Sequence, residues 1–176
     1  MPRGQSPDLP SDAHVEMVST EPELLRKAFA AMEEYPLILT FNGDNFDLPY
    51  LYNRARSVGL RHEEIPISLA REQAYVINGW HVDLYKLFKN AAIQVYAFGD
   101  IYKGFTLDEI TKALLNKGKI EVPPALHGLT SGQLAAYNLN DAEITLELTT
   151  FQNELVMKLL FLIMRISRLS MEEVVR

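Results

Sequence analysis

The chain has no cysteine among its 176 residues, which closes it to disulfides and thiolate metal sites and permits a reducing compartment. Long apolar runs are missing as well. The longest, Leu159 to Met164, is far too short to span a bilayer, and the polar, proline-containing residues 1–10 lack the apolar stretch of a signal peptide. Positive charge is in deficit, with 17 Lys and Arg against 23 Asp and Glu and a formal net charge of −6. That balance argues against a broad nucleic-acid-coating surface, but not against an enzyme whose acidic centre gains positive charge from metal ions. There are no low-complexity tracts or internal repeats. A 48% hydrophobic content supplies a sizeable core, and the length fits one domain.

What is present begins with Leu37-Ile38-Leu39-Thr40-Phe41-Asn42-Gly43-Asp44-Asn45-Phe46-Asp47. Leu37 to Phe41 reads as a short buried strand. Asn42-Gly43 favours a tight turn, because both residues tolerate positive φ. Asp44 or Asn45 then caps a helix through Leu48, Leu51, Tyr52 and Ala55. Asp47 falls in its first turn, at the carboxyl end of a strand, where ligands of open α/β sheets gather. It could help hold a hydrated divalent cation there, or simply favour the positive helix end.

Before that stretch, His14 to Val18 alternates like an edge strand. Ser19 or Thr20 caps a helix whose buried face carries Leu24, Leu25, Ala28, Phe29 and Met32, and Pro36 stops it. Strand, helix, strand, helix is the alternation of an α/β fold. After it, Ala74 to Tyr85 reads as a β-hairpin turning at Asn78-Gly79, and Leu84 to Asn90 as a short helix. Thr106 with Glu109 forms a capping box for a helix to Asn116, and Pro123-Pro124 and Gly128 mark a loop. Thr130 or Ser131 caps a helix through Leu148 that either breaks near Gln152 or continues into Leu155 to Arg168.

Tyr137 and Asp141 stand four residues apart, one turn along a single helical face. A carboxylate there can bind a cation and a phenol can hydrogen-bond a water or a phosphate oxygen, although a helical Tyr more often packs into a core. Asp83 could reach the same site or make a structural hydrogen bond. The four histidines, His14, His62, His81 and His127, lack metal-ligand spacing and read as surface or packed residues. Lys117-Gly118-Lys119 lacks the rest of a phosphate-binding loop and reads as a helix end.

Taken together, Asn42 to Asp47 as N-x-x-x-F-D and Tyr137 to Asp141 as Y-x-x-x-D resemble the second and third exonuclease motifs of the 3′–5′ proofreading domain of family B DNA polymerases. Three further strings look like the family: Val18-Ser19-Thr20-Glu21, His81-Val82-Asp83-Leu84-Tyr85 and Tyr137-Asn138-Leu139-Asn140-Asp141-Ala142. The longer string Thr40 to Asp47 is very close to the archaeal and eukaryotic members, and the resemblance covers essentially the whole chain.

It implies an α/β, helix-rich, truncated ribonuclease-H-like fold with a small mixed sheet and a β-hairpin. The chemistry it implies is two-metal hydrolysis of the 3′-terminal phosphodiester with two Mg²⁺ or Mn²⁺ ions. Asp47 and Asp141 would be metal ligands, Tyr137 would orient the attacking water, and Asn42 and Phe46 would support the site and the frayed single-stranded 3′ end of DNA. The parent would be a DNA-directed DNA polymerase, intracellular, and cytoplasmic with the nucleoid if prokaryotic. Residues 1–150 would be part of the exonuclease domain and 151–176 a helix leading toward the remaining polymerase domains.

One element of the family pattern is missing: no D-x-E pair lies on a strand before Asn42, since Glu21-Pro22-Glu23 sits at a helix start. With only two of four carboxylates, the chain alone is expected to bind metal weakly or not at all and to be inactive. A nuclease of another ribonuclease-H-like family, or a non-catalytic module of an inactivated polymerase paralogue, are the alternatives. Leu155 to Met164 is apolar around most of a helix, which predicts burial between elements or, in this chain alone, self-association.

Overall fold

Thr20 turns the chain into its first helix. Its hydroxyl accepts the Glu23 N–H at 3.4 Å, a proline occupies the first turn, and Glu21 and Glu23 favour the positive helix end. This helix, α1 (Glu21–Glu34), buries Leu25 and Phe29. Next come β1 (Leu37–Thr40), α2 (Asp47–Ser57), a 3-10 turn (His62–Glu64), β2 (Ile67–Leu69), β3 (Ala74–Val76), β4 (Trp80–Asp83), α3 (Leu84–Lys89) and a π-helical turn (Ile93–Ala97). Beyond them lie α4 (Leu107–Leu115), α5 (Ser131–Ser167) and α6 (Met171–Val174). The computed structural model describes residues 9–10, 13–118 and 130–175; the expected loop at Pro123-Pro124 and Gly128, and His127, lie outside them.

The chain divides into two compact units, Met17–Asp100 with Met157–Arg176, and Met1–Glu16 with Ile101–Val156. In the first, β1 and β4 pair in parallel with Leu37 opposite Trp80 and Thr40 opposite Asp83. The segment between them carries α2 and an antiparallel pair, β2 with β3, in which Ile67 faces Val76. Leu25 and Phe29 of α1, Leu48 and Ala55 of α2, Leu60, Ile65, and Ile67, Ala74 and Val76 of the β2–β3 pair form one buried cluster, with Ile38 and Leu51 packed against it. The helix-rich character with small sheets is as expected.

The hairpin is not where the sequence places it. Asn78 does adopt a left-handed φ of 65°, but β3 turns back onto β2 through a turn closed by the Ala70 N–H on the Gln73 carbonyl at 2.8 Å. β4 leaves for β1. The turn at Asn78 therefore joins two different ladders, one parallel and one antiparallel, rather than two strands of one small mixed sheet. Residues 14–18 form no strand; they are mostly exposed, with Met17 at 80%, and an alternating segment becomes a strand only where a neighbour supplies the ladder.

In the second unit, Thr106 and Glu109 close the expected capping box at α4, and Asn116 ends that helix in the left-handed conformation. Thr130 caps α5 by accepting the Gln133 N–H at 3.2 Å, and Lys117 reaches Glu147 on α5 at 2.6 Å. α5 is interrupted. Phe151 is extended (ψ 159°), and Gln152, Asn153 and Glu154 are all left-handed, with φ of 47, 59 and 62°. Of the two courses the sequence leaves open, a break near Gln152 or continuation, the helix takes the break. Each left-handed residue bearing a side chain costs roughly 1–2 kcal/mol relative to right-handed helix.

Candidate active site

The loop leaving β1 is shaped by backbone bonds. Asn42 takes a φ of 70°, which Asn accepts more readily than most residues with a Cβ, and its carbonyl receives the Asn45 and Phe46 N–H groups, each at 3.2 Å. The Asn45 side-chain amide donates to Asn42 Oδ1 at 2.8 Å. Gly43 is buried, and a Cβ on it would fall on the Thr40 side chain; here a glycine is required by close approach.

Asp83, the last residue of β4, anchors this loop. Its Oδ1 accepts the Asn42 N–H at 2.7 Å and the Tyr85 N–H at 3.1 Å, and its Oδ2 accepts the Asp44 N–H at 3.2 Å. The residue is 1% exposed. Burial pushes its carboxyl above the ordinary value of 3.8, opposed by the N–H groups of Asn42 and Asp44. Of the two roles open to Asp83 in the sequence, these bonds are the structural one.

Asp44 does not cap α2. Its Oδ1 accepts the Ala74 N–H at 2.8 Å and its Oδ2 meets Lys86 Nζ at 2.6 Å, so the side chain is turned away from the helix. α2 instead starts at Asp47, with Phe46 at the N-cap position and no side-chain cap bond. His81 lies beside Asp44, with Nδ1 3.5 Å from Oδ1. The same nitrogen meets the Ala74 carbonyl at 3.1 Å, and since a carbonyl only accepts, that nitrogen carries a hydrogen. His81 Nε2 pairs with Thr40 Oγ1 at 2.8 Å. The outer edge of β4 is closed by Glu172 of α6, whose Oε1 accepts the His81 backbone N–H at 3.0 Å.

On this frame Asp47 is the first residue of α2, exposed, beyond the carboxyl end of β1. Phe46 is 66% exposed and Tyr50 58%; their rings stack with centroids 6.3 Å apart and planes 10° from parallel. Asn42, Phe46 and Asp47 thus share one loop of the first unit. Tyr137 and Asp141 belong to the second unit, one turn apart on α5 and both half-buried. Among the described residues no group of three or more His, Asp or Glu side chains could hold a metal ion, so the donors present do not complete a metal site by themselves. His14 and His62 are exposed and His81 is buried, in line with their surface or packed reading.

Sequence reasoning missed Lys86 and Glu172, and misread Asp44. The supporting bonds join residues from the β1 loop, β4, α3 and α6, so no spacing announces them. The only visible signal was the string His81-Val82-Asp83-Leu84-Tyr85.

A family model for the DNA polymerase family B exonuclease domain matches residues 3–96. Among curated proteins, the DNA polymerase 1 of Saccharolobus solfataricus is 50% identical over 163 residues, which is 92% of this chain and 18% of that protein. The DNA polymerase 1 of Sulfolobus acidocaldarius is 44% identical over 162 residues, again 92% of this chain and 18% of its own length. That of Aeropyrum pernix is 43% identical over 168 residues, 96% of this chain and 18% of its own. This chain therefore spans about 18% of the length of the relatives it matches. With the turn Asn42–Asp47 in place behind β1 and more than half of its residues matched by the family, the chain belongs to the exonuclease domain of the family B DNA polymerases.

Proposed function

We propose that this chain is part of a 3′–5′ proofreading exonuclease of ribonuclease-H-like fold, within a DNA polymerase that excises mismatched 3′ ends. The observation that carries the reading is the position of Asp47, exposed in the first turn of α2 beyond the end of a parallel strand, in a chain of this family. Strand ends of this kind are where α/β sheets collect ligands.

In this reading Asp47 and Asp141 each give one carboxylate to a site for Mg²⁺ or Mn²⁺. The other carboxylates come from a D-x-E strand outside these residues, so the chain alone binds metal weakly and is inactive. Tyr137 places a water by its phenol, Asn42 fixes the turn, and Phe46 offers an exposed ring against which the last base of single-stranded DNA can stack. Residues 1–150 form part of the exonuclease domain and 151–176 lead toward the remaining polymerase domains. Without those domains the chain self-associates through the apolar helix of residues 155–167, where Phe161, Leu162 and Ile166 are 48, 54 and 75% exposed.

The test is exonuclease activity on a single-stranded 3′ end in the complete polymerase carrying this segment, with Mg²⁺. Asp47→Ala and Asp141→Ala should each lower the rate by more than about a hundredfold, since even supporting residues of metal sites are worth roughly 10–100-fold. Polymerisation should continue. Full exonuclease activity in both variants would end the reading.

A further inference from the structure

We propose that two copies of this chain exchange residues 157–176, using Gln152, Asn153 and Glu154 as the hinge. Three consecutive residues bearing side chains occupy the left-handed region there, where Cβ crowds the backbone. Residues 150–155 contain neither Gly nor Pro, and Gln, Glu and Leu are good helix formers. Two conformations are therefore open to the hinge: the left-handed turn, and uninterrupted helix from Ser131 to Ser167 that removes the crowding.

Beyond the hinge lies a docked element. α6 packs on β4, Glu172 accepts the His81 N–H at 3.0 Å, and Met171 and Val175 are buried. Glu172 and Val175 line one small cavity together with Asp44, Gln73 and His81. Straightening the hinge redirects everything after it, which would leave the His81 N–H at the outer edge of β4 without its acceptor. An α6 from a second copy restores the same contacts. The exchange thus keeps the docking bonds and relieves the backbone, opposed mainly by the entropy of association, so concentration governs it.

This inference deepens the self-association reading by naming the occupant and the hinge, and it does not depend on the exonuclease reading. The absence of native cysteine makes the test clean. In the 176-residue chain carrying Gln73→Cys and Val175→Cys, refolded at high micromolar concentration, a short bis-maleimide should cross-link chains in pairs, because the two sites that share a cavity come from different copies. Separately, in chains without the added cysteines, sedimentation should read the hinge itself. Glycine at 152, 153 and 154 tolerates the left-handed turn and should weaken the dimer by about tenfold or more, and alanine at all three should tighten it by a similar factor.

Equal dimer constants for the glycine and alanine triple variants would overturn the proposal. So would a dimer whose cross-links are all within one chain; if Phe161→Glu dissociated that dimer, self-association through the helix face would still stand. A monomer at every concentration would end both.

Discussion

Asp83 Oδ1 receives the Asn42 backbone N–H at 2.7 Å, fastening the end of β4 to the left-handed residue that follows β1. One carboxylate therefore fixes the direction in which the chain leaves the parallel ladder, and with it where Asp47 emerges.

Removing that carboxylate should be felt as stability. Asp83→Ala leaves the N–H groups of Asn42, Asp44 and Tyr85 without their acceptor. Each such loss costs about 1–3 kcal/mol when water cannot replace it, so urea unfolding should show a total loss of at least ~2 kcal/mol. The pH dependence has a definite sign. Because burial raises the folded carboxyl above 3.8, protonation adds a share of stability that is fully present below that ordinary value and is lost as pH rises through the folded one, while the hydrogen bonds themselves remain. Asp83→Asn, which has no such titration, should remove this slope; an unchanged slope would contradict the assignment.

Gly43→Ala should disturb a bond it does not itself make. The new methyl falls on the Thr40 side chain, whose hydroxyl pairs with His81 Nε2 at 2.8 Å. Overpacking of this kind costs about 1–3 kcal/mol. Adding Thr40→Ala should make the pair of substitutions less than additive, because alanine at 40 removes the hydroxyl and the methyl that the new group meets, although its own Cβ, 2.5 Å away, still crowds it. Strict additivity in denaturant unfolding would show that the two positions do not meet.

Glu64 links the 3-10 turn to α1. Arg26 Nε donates to its Oε1 at 2.8 Å, and that bond, followed by the Arg61 backbone N–H, lowers its carboxyl from 4.5 to about 2. The stability from a depressed acid is present above its ordinary value and is lost as pH falls toward the folded one. Thermal stability should therefore fall between pH 4.5 and about 2, and Arg26→Ala should flatten that fall. No difference between the two chains across this window would refute the pairing.

Thr106 closes the capping box of α4 with Glu109. Thr106→Ala should cost about 1 kcal/mol and Thr106→Ser little. Loss of the hydroxyl also removes the largest influence holding Glu109 below its ordinary value, so the Glu109 carboxyl should titrate higher in the alanine variant, as read by NMR.

The parts legible in the sequence are those decided within a few residues. Thr20, Thr106 and Thr130 cap their helices because a hydroxyl and an N–H two or three positions on settle the matter locally. The turn at Asn42 is equally local, whereas residues 150–155 carry no Gly or Pro to announce the break at Gln152. Asn78-Gly79 forms the turn its residues predict but not a hairpin, since a turn does not say which strands its neighbours will pair with. Asp44 obeyed a tertiary rule over a local one: Ala74 and Lys86, distant in sequence, offered its carboxylate better partners than the helix end. The candidate site residues Asn42, Phe46, Asp47, Tyr137 and Asp141 are proposed from the resemblance of N-x-x-x-F-D and Y-x-x-x-D to the family's motifs. The Asp44–His81–Lys86–Glu172 support had no spacing to find.

The parallel pairing of β1 with β4 has a kinetic side. Asn42 and Asp83 are 41 positions apart, and bringing such ends together costs about 3 kcal/mol of chain entropy before any ladder bond is made. The β2–β3 turn and helix α2 close over far shorter distances and can form on microsecond scales, ahead of the ladder that encloses them. Contacts between residues remote in sequence are slow to nucleate. The loop bearing Asn42 and Asp47 is then among the last parts of its unit to take shape on folding, waiting for β4 to arrive with Asp83.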